Sequence, residues 1–316
     1  MLLKDPESKN GHSAGEIDIS VVVPAYDGEH TIAACLESID RATQGRRREI
    51  IVVDSSASDA TADIVRLRFP EVILIRSQRR LSAGGARNRG SEAAHGRLVF
   101  FTDQDCMVPP DWILRLERHL EDPAVDAAGG AVGIQDLSNL SGCALYLLEF
   151  LNHFPSNAGA RRDSNFLIGS NFCCRAEVFQ VVRFPDQTLG EDILFSNKLR
   201  NHGFHTVHDP ATAVLHENRQ GWREFFDYNY KMGGAAASYH QQLQLWWAAP
   251  VLRWPILAFC TPGLVLPSIC INLLSAPWSY LFRFLLLAPI CLLGNLVWAG
   301  GFRRQVLETR RLGRLR

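Results

Sequence analysis

At 316 residues the chain has room for one large domain or two modest ones and can bury a core. Its 33 basic and 33 acidic side chains cancel, which leaves no case for a nucleic-acid partner that needs a basic surface. The eight cysteines (35, 106, 143, 173, 174, 260, 270 and 291) form no C-x-x-C pair and read as reduced, buried small side chains, not a zinc knuckle or disulfide scaffold.

Residues 1–16 form a polar tail with Lys4, Asp5, Glu7 and Lys9. It has no apolar signal core, so the following domain is expected to stay on the side where it is made, the cytoplasm. Ile19–Pro24 is a β-branched run without alternation, the pattern of a strand buried on both faces, and Pro24 ends it. Ile32, Leu36 and Ile39 then recur at helical spacing over Thr31–Arg41. A strand over Ile50–Val53 precedes Asp54 and a helix near Ala60–Phe69, with Asp59 as the expected helix cap. Val72–Ile75 and Leu98–Phe101 repeat the strand theme. Alternating strands and helices predict an α/β, doubly wound sheet whose ligands sit beyond the strand carboxyl ends.

About residues 130–240 the pattern loosens, and mixed sheet and loops are expected to form a second lobe over the first. From Trp254 to Phe282 no residue is charged, and after Arg283 a second charge-free run reaches Phe302. Such lengths suffice for two bilayer crossings turning near Pro277, with Trp246, Trp247, Trp254 and Trp278 at the interfaces. Arg303, Arg304, Arg310, Arg311, Arg314 and Arg316 then form a basic cytoplasmic tail. Five prolines between 255 and 289 also fit a kinked or re-entrant hairpin.

Four segments carry chemistry. Pro24-Ala25-Tyr26 follows the first strand and offers backbone and an aromatic wall. Asp54, ending the second strand, offers an acceptor to a base or ribose. Ser82–Gly90 pairs glycines with Arg87, a bidentate phosphate ligand by its chemistry and not a P-loop lysine. Thr102-Asp103-Gln104-Asp105 supplies two hard carboxylates at a strand end, suited to Mg²⁺ or Mn²⁺ with positions left for waters and phosphates. Farther on, Gly190-Glu191-Asp192 reads as a helix start with acids in its first turn.

These segments, from about Ile19 to Gly234 and in this order, resemble the family 2 glycosyltransferases, which share the GT-A fold. The match includes V-V-P-A-Y, I-V-V-D-S-S-A-S-D-A-T, A-R-N-x-G, T-D-Q-D-C, Gly169-Ser170-Asn171 and Gly190-Glu191-Asp192. The resemblance implies a GT-A catalytic domain over 17–240, with a nucleotide-sugar half to about 130 and an acceptor half after it. A membrane region over 245–302 and a tail over 303–316 follow. It implies Asp54 and Tyr26 at the nucleoside, Asp103 at the donor ribose and metal, Asp105 at the metal, and Asp192 as catalytic base with Glu191 touching the acceptor. His216 corresponds to a histidine closing over the metal or diphosphate, whereas His202, His205 and His208 match no family position. Ser55 stands where the family often has a second acid. Gln220-Gly221-Trp222-Arg223 only approximates the motif of processive synthases, so one sugar per binding event is expected.

The expectation is therefore an inverting, metal-dependent, multi-pass enzyme of the cell membrane. It would move a sugar from a UDP-linked donor to a lipid-linked or membrane-proximal glycan. The competing reading is a catalytically inactive nucleotide-sugar-binding or scaffold protein of a polysaccharide assembly complex. Retention of Asp103, Asp105 and Asp192 argues against it.

Overall fold

The computed structural model describes residues 17–157, 159–162 and 166–313. The N-terminal tail before residue 17, Arg314, Arg316 and the side chain of Trp247 lie outside the described residues. The chain opens with β1 (Ile19–Ala25), α1 (Ile32–Ala42), β2 (Arg48–Asp54), α2 (Ala60–Arg68), β3 (Ile73–Arg76), α3 (Ala83–Glu92) and β4 (Leu98–Phe101). It continues through β5 (Cys106–Met107), α4 (Trp112–His119), β6 (Ala127–Ile134), α5 (Leu140–Glu149), β7 (Arg161–Arg162) and β8 (Phe172–Arg175). Next come α6 (Val178–Val181), α7 (Glu191–Asn201), β9 (Thr206–His216) and α8 (Trp222–Leu243). The C-terminal region comprises α9 (Ala249–Arg253), a 3₁₀ stretch at Pro255–Cys260, α10 (Pro262–Leu273) and α11 (Trp278–Arg311).

The nine strands of the described residues form one sheet in the order β3-β2-β1-β4-β8-β6-β9-β5, with β7 also paired to β9. β1 to β4 run parallel, as the uninterrupted Val21–Val23 and Ile51–Val53 runs require, because helices cover both faces. The chain reverses its winding at β1, which has β2 on one side and β4 on the other. That switch point is where ligands of open α/β sheets bind.

The second lobe expected over the first is instead a continuation of the same sheet. β8 pairs antiparallel with β4 and β6, and β6 then pairs parallel with β9. The sheet is thus mixed past β4, in keeping with a GT-A architecture. Asn171 fastens this junction: its amide donates to the carbonyls of Ala131 (2.7 Å) and Thr212 (2.9 Å), and its oxygen accepts from Trp112 Nε1 at 2.8 Å. The side chain is fully buried, and its desolvation is offset by these hydrogen bonds, which tie β6 and β9 to the start of β8.

The sheet divides the interior into two apolar layers. One face carries Val21, Leu36, Ile39, Phe100 and Trp112; the other is an aromatic stack of Phe101, Phe172, Phe184 and Phe195. All eight cysteines are free, and Cys260 alone is exposed.

Two helical stretches, Pro255–Leu273 and Trp278–Arg311, are long and apolar enough to cross a membrane. α8 and α11 pack side by side through glycine: a Cβ on Gly233 would lie 1.9 Å from the Trp298 carbonyl, and one on Gly301 2.0 Å from that of Tyr230. Such approach is open only to glycine at these two positions. Arg303–Arg311, read from the sequence as a separate tail, are the last turns of α11.

Candidate active site

The loops after β1, β4 and β9 and the start of α7 converge on one cavity of about 700 Å³. Tyr26, Arg87, Asp103, Asp105, Glu191, Asp192 and His216 all line it.

The Thr-Asp-Gln-Asp turn is organised by its middle residue. Gln104 brackets the Tyr26 peptide, its Oε1 accepting from Tyr26 N and its Nε2 donating to Tyr26 O, both at 2.9 Å. The β1 and β4 loops are thereby locked together at the switch point. Gly28 leaves room for this: a Cβ there would meet Gln104 Oε1 at 2.1 Å.

Asp105 meets His216 because β5 pairs antiparallel with β9 and sets Cys106 opposite His216. The Glu217 N–H also donates to the Asp105 carbonyl at 2.8 Å. Asp105 Oδ1 lies 3.5 Å from His216 Nε2, and His216 Nδ1 faces Asn218 Oδ1 at 3.0 Å, which fixes the ring. Burial disfavours the charged imidazole, but the Asp105 and Glu149 carboxylates outweigh it and hold His216 above its ordinary pKa. Asp105, Cys106 and His216 bring one ligand atom each within 4.8 Å of one another. A hard carboxylate and an imidazole with an open cavity side fit a divalent cation that keeps places for phosphate oxygens. Cys106, 1% exposed and soft, is the poor member of this set.

Asp103 faces the other way. Its Oδ1 accepts from Arg87 Nη2 at 2.6 Å, and Arg87 Nη1 donates to Glu191 Oε1 at 2.6 Å. The open phosphate-binding edge expected of Arg87 is therefore committed to two carboxylates. Burial opposes the Arg87 charge, yet Asp103, Glu191 and Asp192 outweigh it and hold the guanidinium above its ordinary pKa. Gly169 lets the guanidinium pass, since a Cβ there would sit 2.7 Å from Nη2.

Gly190, in the left-handed region at φ 77°, starts α7 and turns Glu191 and Asp192 into the cavity. Asp192 Oδ2 accepts from Gly169 N at 3.2 Å and Oδ1 from Ile193 N at 2.8 Å. Burial raises the Asp192 pKa against the pull of Arg87 and these two amides. Burial, then the Asp192 charge, pushes Glu191 upward too.

Asp54 is placed differently from expectation. It is fully buried, with Oδ1 accepting from Ser56 N (2.9 Å) and Oγ (2.5 Å) and Oδ2 from Arg76 Nη1 (2.6 Å). Both oxygens are engaged, and Ser55 rather than Asp54 reaches the cavity wall. Asp59 occupies the N-cap position of α2 without a capping bond, because its Oδ1 accepts from Arg76 Nη2 at 2.8 Å.

Arg80, Glu149, Arg219 and Tyr228 line the cavity and escaped the sequence reading. Arg80 lies over the Tyr26 ring at 4.0 Å, closing the aromatic wall. Tyr228 Oη donates to Glu149 Oε1 at 2.6 Å, and Arg219 stacks on Tyr228 at 4.4 Å. These residues come from loops and from α5 and α8, far apart in sequence, and no local motif announces them.

Comparison with known proteins agrees with this geometry. Residues 20–183 match Glycosyl transferase family 2. The succinoglycan biosynthesis protein ExoO of Rhizobium meliloti is 34% identical over 221 residues, 65% of this chain and 62% of that protein. The Escherichia coli UDP-Glc:alpha-D-GlcNAc-diphosphoundecaprenol beta-1,3-glucosyltransferase WfgD is 32% identical over 88 residues, 28% of this chain and 34% of that protein. These matches span less than two thirds of either relative's length. Among solved structures, the mannosyltransferase PcManGT from Pyrobaculum calidifontis, in complex with GDP-Man and Mn²⁺, superposes with TM-score 0.57 at 18% identity, covering 95% of this chain and 87% of that one. The chain belongs to glycosyl transferase family 2 and carries the GT-A fold of a glycosyltransferase.

Proposed function

We propose that the chain transfers a single sugar, with inversion, from a UDP-linked donor to a hydroxyl of a lipid-linked or membrane-proximal glycan. Work at the cytoplasmic face of the cell membrane, beside the apolar C-terminal helices, keeps the site near such an acceptor. The observation that carries the reading is the convergence of Asp105–His216 and Asp192 on one cavity.

The nucleoside end of the donor lies against Pro24, Ala25 and Tyr26, with Ser55 and Arg80 completing the wall. Asp105 and His216, with Asp103 at the same turn, would hold Mg²⁺ or Mn²⁺, which would supply a sink for the charge that develops on the departing diphosphate. Arg87 keeps Asp103 and Glu191 in fixed positions. Asp192 takes the acceptor hydroxyl proton as the new C–O bond forms and the bond to the diphosphate breaks, and Glu191 orients the acceptor. The two amides on Asp192 fix its rotamer, which a base needs if it is to meet its proton at hydrogen-bond distance. One displacement at the anomeric carbon inverts its configuration. The lipid-linked acceptor draws support from the name of the WfgD relative and the cation from the Mn²⁺ in the PcManGT complex.

The test is release of nucleoside diphosphate from a panel of nucleotide-sugars by detergent-solubilised protein, with Mn²⁺, Mg²⁺ or EDTA and with Asp105→Ala in parallel. Release from one donor, abolished by EDTA and by the substitution, is expected. Absence of both donor binding and release would return the reading to the scaffold.

A further inference from the structure

Along α11 the buried positions Tyr280, Phe284, Leu287, Cys291, Phe302 and Val306 form one stripe, and both ends of that stripe are fastened to the catalytic domain. At its start, the Ile134 N–H of β6 donates to Tyr280 Oη at 3.4 Å, and the Tyr280 ring meets Tyr146 of α5 edge-on at 5.6 Å. Just before it, Asn272 of α10 donates to the Leu151 carbonyl at 2.7 Å. At its end, Phe302 and Val306 cluster with Ala236 and Ala237 of α8.

A 34-residue helix is about 51 Å long, against about 30 Å of bilayer hydrocarbon. If α11 stood across a bilayer, the contacts at both ends would carry the edge of β6, α5 and α8 into the hydrocarbon. Glu149 and Arg219 would travel with them, at a cost no contact here offsets.

The opposite stripe points outward and is apolar. Trp278 (70% exposed), Phe282 (69%), Leu286 (63%) and Leu293 (48%) share it, and Leu264 and Ile271 of α10 are exposed as well. No Asp or Glu occurs between Asp227 and Glu308, whereas Arg253, Arg283, Arg303 and Arg304 do. An apolar face with tryptophan and arginine at its margins, and no acid, suits the boundary of an anionic bilayer.

We propose that α10 and α11 lie in the plane of the membrane surface, their outer stripe immersed in an anionic leaflet and the whole chain on one side of it. The two crossings expected from composition are replaced by a docking platform. The cavity wall runs from the catalytic carboxylates to Leu264, Val265, Trp298 and Phe302, so the platform also opens the active site toward the lipid. This last consequence rests on the membrane-proximal acceptor of the proposed function; the docking does not.

Two measurements on the full chain test it. In sealed membrane vesicles, a Ser275→Cys label between α10 and α11 is compared with Ser58→Cys on the catalytic domain, using an impermeant maleimide and with Cys260 and Cys270 replaced by Ser. Labelling of Ser275→Cys from the Ser58→Cys side, or from neither side, is expected; labelling from the opposite side overturns the proposal. In flotation, the wild type is expected to rise with phosphatidylglycerol vesicles, and Phe282→Glu/Leu286→Glu to bind at least about tenfold less. Unchanged flotation of the variant overturns the proposal, as does a wild type that fails to float and instead dimerises through this face. Nucleotide-sugar binding by the variant reports its folding, since both side chains are exposed. A wild type that floats and labels as expected yet transfers no sugar leaves the docking intact and removes the transferase reading.

Discussion

Arg87 and Glu191, 104 positions apart in the chain, meet at 2.6 Å in the wall of the cavity, and the other guanidinium nitrogen of Arg87 holds Asp103 at the same distance. One buried guanidinium thus ties the Thr102–Asp105 turn to the start of α7, which carries Asp192.

Removing it leaves two carboxylates facing each other with no positive charge between them. Arg87→Ala is expected to cost about 3–5 kcal/mol of stability, the usual consequence of orphaning a buried charge. Arg87→Lys keeps the charge and loses the fork, so it should fold better than the alanine variant and still turn over slowly. Thermal unfolding in detergent, set beside turnover, separates the two effects.

In the proposed reaction Asp192 is the base, and its pKa governs the acid side of the pH profile. Burial raises it, and the charged or titratable groups facing it are Arg87 from α3, Asp103 after β4, its neighbour Glu191 and the Tyr239 phenol of α8. A protonated carboxyl cannot accept the acceptor's proton, so activity rises with pH, and a raised pKa moves that limb above the ordinary carboxylate range. Asp192→Asn is expected to lower kcat by about 10²–10⁴-fold with donor affinity unchanged. Steady-state rates against pH, together with donor titrations, check both statements.

The cation site makes a selective prediction. Asp105→Asn and His216→Ala should each raise the Mn²⁺ concentration for half-maximal activity, on the order of ten- to a hundredfold. Cys106→Ala should leave it unchanged, because a soft, buried thiol adds little to a hard cation. Metal titrations of the three variants decide between these outcomes.

Gly301 tests the packing of α11 on the catalytic domain. With a Cβ placed 2.0 Å from the Tyr230 carbonyl, Gly301→Ala must push the α8 and α11 backbones apart, at about 1–3 kcal/mol. A fall in the melting temperature is expected; Gly300→Ala, where the nearest contact is 3.8 Å, should show little.

The first half of the sheet was legible because each strand is a continuous apolar run and each is followed by a helix. The site's acids were legible for a related reason: they stand at strand and helix ends, where backbone geometry points them at the switch point. The engagement of Asp54 was not legible because its partner comes from elsewhere in the chain. The parallel register of β2 and β3 sets Arg76 opposite it, and Arg76 consumes Asp54 and Asp59 together. The carboxylate partners of Arg87 were hidden for the same reason, lying 16 and 104 residues away. In α11 both faces are apolar, so composition hid which stripe is packed and which is outward.

The most direct test of the central claim is the anomeric configuration of the first product, read by nuclear magnetic resonance before any equilibration. A single displacement assisted by Asp192 predicts that an α-linked donor gives a β-linked product. An α-linked product would contradict that displacement and the role given to Asp192.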